Sequence, residues 1–337
     1  MSLKKRFTDD VYNLQEEICR ALEQVETNAV FREDLWDREG GGGGRTRIIE
    51  KGDVIEKGGV NVSAVHGELP EAVKTHFRVE RGWFYASGLS LVIHPLNPMA
   101  PAVHANFRFF ELYEDAQMIR SVDRWFGGGA DLTPFYLRDE DAIHFHRALK
   151  AVCDQYGKDL YPRFKKECDE YFYNSHRGEA RGVGGIFFDY LRENDEYSDD
   201  QWYAFTSGTG NQFLKSYLPI LIRRMNEPYN AAQRYWQEIR RGRYAEFNLI
   251  HDRGTLFGLK TKGRIESIFM SLPPRVRWDY DFNPEPGSRE AYLLERLARP
   301  ADWIGQKPET GQGQGQEDRE SGKAAGSGSE AGLAGRR

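Results

Sequence analysis

The chain has 337 residues, 39% of them hydrophobic and 29% charged, enough to bury a sizeable core in one large domain or two modest ones. Its 47 basic and 52 acidic residues leave a net charge of −5, which argues against a general polyanion-binding role and against nucleic acid as a partner. No apolar run approaches the ~20 residues that a membrane-spanning helix needs, and the opening MSLKKRFTDDVYNL turns acidic and helical without the apolar centre of a secretion signal. A cytoplasmic protein is therefore expected.

Phe7, Val11, Leu14, Ile18, Ala21 and Val25 recur at helical spacing, and Thr8, Asp9 and Asp10 suit a helix start. Phe31 to Ile55 reads as short strands around Gly40–Gly44, a run expected to be a mobile flap, since it lacks the Lys-Ser/Thr ending of a phosphate loop. From Phe84 to Pro95 the pattern alternates, with Leu89, Leu91 and Ile93 on one side and Gly88, Ser90, Val92 and His94 on the other. The three prolines in Pro95–Pro101 make a loop. Alternation then resumes, with Ala105, Phe107 and Phe109 against His104, Asn106 and Arg108. Two such strands joined by a short loop are expected to pair antiparallel, with both polar stripes on one sheet surface.

Ile119 to Phe126 is predicted as a strand halted by Gly127-Gly128-Gly129, with Asp131 in the loop that follows. Helices are predicted over Asp139–Tyr156 and Asp159–Tyr173, a buried strand over Gly182–Leu191, helix-rich segments over Gln201–Met225 and Ala231–Arg241, and a last helix over Ala291–Leu297. Thr255–Lys260 and Ile265–Leu272 are read as the arms of a hairpin turning at Thr261–Arg264. Residues 305–337 have almost nothing to bury and are expected to be a disordered tail after a domain spanning 1–304. Strands and helices interleave without a βαβ rhythm, so the expected class is a single α+β domain on a large, mainly antiparallel sheet. Cys19, Cys153 and Cys168 form no CxxC pair, and Cys153 reads as a small buried residue in a reducing compartment.

The chemistry-bearing residues concentrate between Ser90 and Asp131. A sheet face carrying His94, His104, Asn106 and Arg108 is costly to cover unless those groups have partners. The Arg108 guanidinium fork matches a carboxylate, and either a substrate acid group or an internal salt bridge would satisfy it. Arg264 is a second residue suited to the same task. Asp131, acceptor-only when ionised, suits a ligand with several N–H donors or, equally, a turn or helix cap. His176, Arg177, Glu179 and Arg181 form a charged turn ahead of a buried strand. Four separated histidines, 94, 104, 144 and 176, lack a spacing that would mark a metal site.

These residues sit in segments that strongly resemble the oxygen-dependent coproporphyrinogen III oxidase family. The segments are REGGGGGRTRI from Arg38, GVNVSAVHGELP from Gly59, SLVIHPLNPMAPAVHANFRFFEL from Ser90, RWFGGGADLTPFYL from Arg124, HRGEARGVGGIFFDYL from His176, and GRIESIFMSLPPRVRWDYDF from Gly263. Glu167, where the family usually has Trp, and Asn174, where it has an aliphatic residue, depart from the pattern. The resemblance implies an antiparallel sheet covered by helices on both sides, a homodimer, and oxidative decarboxylation of two propionates of coproporphyrinogen III. The products would be the vinyl groups of protoporphyrinogen IX, with O2 as co-substrate, carbon dioxide and hydrogen peroxide as by-products, and no organic cofactor. It also implies roles. His104 would be the acid/base group and Asp131 the acceptor of pyrrole N–H bonds. Arg108 would pair with a propionate, and Ser90, Asn106, Phe107, Lys262, Gly263 and Arg264 would contact substrate. His94, His104, His144 and His176 would be optional ligands for a divalent metal such as manganese. A metal-dependent hydrolase and a non-catalytic tetrapyrrole-binding module are the rival readings of the same residues.

Overall fold

The computed structural model describes residues 1–305 except 72, 73, 75–79, 261 and 262. Lys262 and the stretch 306–337 therefore lie outside the described residues. The frame is a seven-stranded antiparallel sheet in the order β1-β2-β3-β4-β5-β6-β9. Its strands are β1 (Arg32–Asp37), β2 (Gly42–Glu50), β3 (Ile55–Glu68), β4 (Trp83–Pro95), β5 (Ala102–Tyr113), β6 (Ser121–Thr133) and β9 (Gly184–Leu191). A small separate hairpin is made by β7 (Tyr173–Asn174) and β8 (Glu179–Ala180).

Period-two patterning fixes the two faces. Val60 lies opposite Leu91, Leu91 opposite Ala105, and Ala105 opposite Ala130, and all four are buried. This apolar face is covered by α1 (Leu3–Glu23), α2 (Asp139–Cys153) and α4 (Asp199–Arg224), while α3 (Leu160–Tyr171) packs along β9. Phe7, Val11, Leu14, Ile18 and Leu22 form the buried stripe of α1, each worth roughly 1.5–3 kcal/mol relative to an exposed side chain. A reciprocal Ser198–Gln201 capping box starts α4, and an Asn230–Gln233 box starts α5 (Ala231–Ile250). The opposite face carries the polar stripe, and α5, α6 (Arg253–Lys260) and α7 (Ile265–Phe269) close over it. The last helix, α8 (Arg289–Leu297), leads to Trp303, whose indole N–H donates to the Val183 carbonyl. The α+β class and helical cover on both sides agree with the sequence expectation. No helix of the described residues is long and apolar enough to cross a membrane.

Three local expectations are corrected. Gly127–Gly129 does not halt a strand: β6 runs through it, and Asp131 is a strand residue. Glycine is needed there because a Cβ on Gly127 would stand 2.7 Å from Arg108 Nε, and one on Gly129 would stand 2.3 Å from the Ile186 carbonyl. The run Gly40–Gly44 is likewise not all loop, since Gly42–Gly44 belong to β2, entered with φ +77° at Gly42. The predicted hairpin of 255–272 is instead α6 and α7. The Asp252 carboxylate accepts from the Thr255 backbone N–H at 2.7 Å and so starts α6 as a helix.

Candidate active site

Register assembles the polar face in rows across the sheet. One row carries Asp34, Thr46, Asn61, Ser90, Asn106 and Gly129; its neighbours carry Val92, His104 and Asp131, and Gly88, Arg108 and Gly127. His104, Asn106 and Arg108 are each half-buried, while Ala105, Phe107 and Phe109 between them are buried. The strand therefore offers its even residues to the cleft and its odd ones to the core.

Hydrogen bonds tie these groups into one line. His104 Nδ1 lies 2.8 Å from Asp131 Oδ1. Asp131 is 1% exposed, and Arg181 Nη2 donates to its Oδ1 at 2.9 Å and its Oδ2 at 2.8 Å. Burial alone would push the Asp131 carboxyl up; the Arg181 charge and the His104 bond more than reverse this and hold it below the ordinary range. An ionised carboxylate accepts only, so His104 donates its Nδ1–H to Asp131 and turns Nε2 outward. Asn106 Nδ2 stands 3.4 Å from that Nε2, and Asn106 Oδ1 accepts from Arg108 Nη1 at 2.5 Å. Arg108 Nη2 pairs with Asp189 at 2.9 Å, yet its side chain remains 37% exposed. Phe187 lies beneath the Arg108 guanidinium, and Phe172 meets His104 edge-on. Such a face offers a cation for a carboxylate, a polar amide and an imidazole nitrogen within one line of contacts.

Other expected residues are placed differently. Phe107 turns its ring into the core, where the Gly210 position of α4 packs against it, so its side chain faces away from this line. Arg264 begins α7 and pairs with Asp34 at 2.6 Å; Ser267, one turn on, bonds Thr46, which donates to Asn61. Gly263 bonds back to the Gly258 carbonyl. Asp131, whose oxygens are engaged with Arg181 and His104, is a buried support beneath the face rather than a group on it.

The four histidines do not form a set that a metal would fit. His94 is buried, its Nε2 lies 2.9 Å from the Ser271 carbonyl, and burial together with the Arg241 charge keeps it neutral. His104 is held by Asp131. His144 lies on α2, against the Lys215 carbonyl of α4, in the layer over the apolar face. His176 bonds Glu246 at 2.8 Å and His251 at 2.9 Å. Among the described residues no group of three or more His, Cys, Asp or Glu side chains has metal-holding geometry. All three cysteines are free and buried, and burial pushes the Cys19 and Cys153 thiols up to about 12, so neither is a poised nucleophile.

Four contributors carried weak sequence signals or none. Arg181 stood out only as part of a charged turn. Asp189 is a lone acid in the apolar strand GGIFFDYL, a signal that could have been used. Asn248, which accepts from Arg181 Nη1 at 2.9 Å, and Asp252, which accepts from the Tyr171 hydroxyl at 2.9 Å, come from the α5–α6 junction and reach the site only through tertiary packing.

Comparison with known proteins follows the same line. A family model described as coproporphyrinogen III oxidase matches residues 6–303. A relative from Glycine max, named oxygen-dependent coproporphyrinogen-III oxidase, chloroplastic, is 47% identical over 311 residues, covering 90% of this chain and 80% of the relative.

Proposed function

The chain belongs to the coproporphyrinogen III oxidase family, and we propose that the line Arg108–Asn106–His104–Asp131 is where it carries out that family's reaction. It is an oxygen-dependent oxidase that decarboxylates two propionates of coproporphyrinogen III in haem biosynthesis. Each propionic acid arm and one O2 give a vinyl group, CO2 and H2O2: the arm loses its carboxyl carbon and two hydrogens, and O2 takes up two electrons and two protons. The observation that carries the site assignment is the half-exposed Arg108, hydrogen-bonded through Asn106 to His104 on one strand face.

Arg108 binds a propionate carboxylate by charge and fork geometry, exchanging its contact with Asp189 for the substrate. Arg264 serves a second carboxylate in the same way, with Asp34 as its resting partner; Lys262 and Gly263 precede it in sequence. Ser90 and Asn106 contact the ring edge. His104 Nε2 takes the N–H proton released as the electron-rich pyrrole reacts with O2 and returns it to the reduced oxygen, and the acid proton of the propionic acid arm restores the ring N–H. The resulting peroxide removes a propionate hydrogen, and loss of CO2 follows. Asp131 acts through His104, fixing which nitrogen faces the substrate. No step needs a metal, and the histidine placement supports none.

Two coarser features complete the proposal. A homodimer is favoured by the exposed apolar residues Leu249, Ile250, Phe257, Ile265, Trp278 and Tyr280, gathered in one stretch of chain. A reducing compartment, the cytoplasm, suits three free cysteines. An oxygen-electrode trace with chelator-treated protein and coproporphyrinogen III tests the central reading. Oxygen uptake with CO2 release is expected; binding without uptake would leave a carrier, and activity restored only by metal would leave a metalloenzyme.

A further inference from the structure

Arg181 has no step of its own in the proposed reaction, yet it is among the most completely enclosed cations of the described residues, with its side chain 2% exposed. It stands between β8 and β9, directly after Ala180. Its guanidinium is walled by three rings, with centroids 4.1 Å (Phe172), 4.5 Å (Tyr244) and 4.7 Å (Phe247) away. Asn248 takes one end of the fork and Asp131 the other. A cation removed from water at this cost is held by cation–π contacts and charge-assisted bonds, and it cannot rotate away. We infer that Arg181 is a positioning residue for the oxidase reaction: by engaging both Asp131 oxygens it aims one Oδ1 lone pair at His104 Nδ1, and so fixes the imidazole with Nε2 toward the substrate.

The geometry constrains the alternatives. Without Arg181, the Asp131 carboxylate would face Phe172, Tyr244 and Phe247 with His104 as its remaining hydrogen-bond donor, and it could rotate to offer either oxygen. His104 would then be free to exchange tautomers or tilt toward Asn106. The residue shapes the proton acceptor without touching substrate, so its loss lowers kcat while leaving substrate affinity to Arg108 and Arg264. The inference rests on His104 being the acid/base group of the proposed reaction.

The test separates the two ideas. Nitrogen-15 spectra of histidine-labelled protein, with the His104 signal identified by its disappearance in His104→Gln, report the tautomer without any turnover. In the wild type, Nδ1 should carry the proton. Arg181→Met should show mixed tautomers, with kcat down about 100-fold or more and KM within about threefold of wild type. Arg181→Lys, which keeps the charge but not the fork, should lose about tenfold. Should Arg181→Met fail to fold, Arg181→Lys and Asn248→Ala carry the decision, each predicted to disturb the His104 spectrum. A folded Arg181 or Asn248 variant with wild-type His104 nitrogen shifts and wild-type kcat would overturn the inference. Disturbed shifts in the variants beside a wild type that consumes no oxygen with coproporphyrinogen III would instead overturn the proposed reaction and leave the positioning contact standing.

Discussion

The two faces of the large sheet come from the same strands, one residue out of phase, and they are held by different forces. On one face Leu91, Ala105 and Ala130 meet the helices α1, α2 and α4 through dispersion and exclusion of water. On the other, Asn61, Asn106, His104 and Asp131 are held by hydrogen bonds and ion pairs, and the layer is tied to α7 through Thr46–Ser267 and Asp34–Arg264 and to α5 through Arg181 and Asn248. The apolar face admits a polar group only where it is bonded, as Gln15 is to the Arg45 and Val60 carbonyls and Ser87 to Thr8, and it makes little demand on angle. The polar face needs every partner present and aimed. On the proposed assignment, most of the apolar packing and the chemistry lie on opposite sides of one backbone.

Substitutions on alternating residues of β5 test this division. The largest effect should follow His104→Ala, with kcat reduced about 10²- to 10⁴-fold and thermal melting close to wild type. A comparable loss of melting temperature would show that the polar face is also structural. Phe107→Ala, three residues along the same strand but facing the core, should cost about 3–5 kcal/mol in denaturant unfolding, with normal turnover per folded molecule. Impaired turnover in the folded fraction would break the comparison and return Phe107 to the substrate contacts. Arg108→Gln should raise KM for coproporphyrinogen by about 10- to 100-fold, with kcat changed less; an unchanged KM would sink its role as carboxylate partner.

The smallest effect concerns how the polar layer is fastened. Glu56, at the start of β3, accepts from Arg234 and from Arg241 on α5, each at 2.6 Å. Burial opposes its ionisation, but the two arginines hold its carboxyl below the ordinary value of 4.5. A depressed carboxyl stabilises the fold above its unfolded value and loses that contribution as pH falls through the folded one. Melting curves of the wild type should thus fall away below about pH 4.5, and Glu56→Gln should flatten that limb while lowering stability at neutral pH. Parallel acid limbs for both proteins would show that another carboxylate governs the loss.

The division between faces also explains what the sequence could disclose. Period-two alternation in β4 and β5 was legible because one face must exclude water, and that requirement marks every second residue. Gly127–Gly129 was misread because glycine ordinarily interrupts a strand, whereas here the crowding of Arg108, Asp189 and the Ile186 carbonyl demands it. The segment 255–272 was misread because short apolar runs fit strand or helix equally, and the capping contact from Asp252 outweighed the alternation. His104, Asn106 and Arg108 could be grouped from their spacing on one strand. Arg181 and Asn248 could not, because their only link to Asp131 is through space.

That link has a kinetic side. Arg181 joins a partner 50 residues upstream to one 67 residues downstream. A chain must close both intervals before the imidazole has a fixed orientation, and closing long intervals delays folding. The helix α1 and the β4–β5 hairpin can form from local sequence long before then. A nascent or partly folded chain thus has the strand that carries His104 without the means to aim it. On the proposed assignment of His104, the peroxide-yielding reaction waits for both closures, and maturation acts as its safety catch.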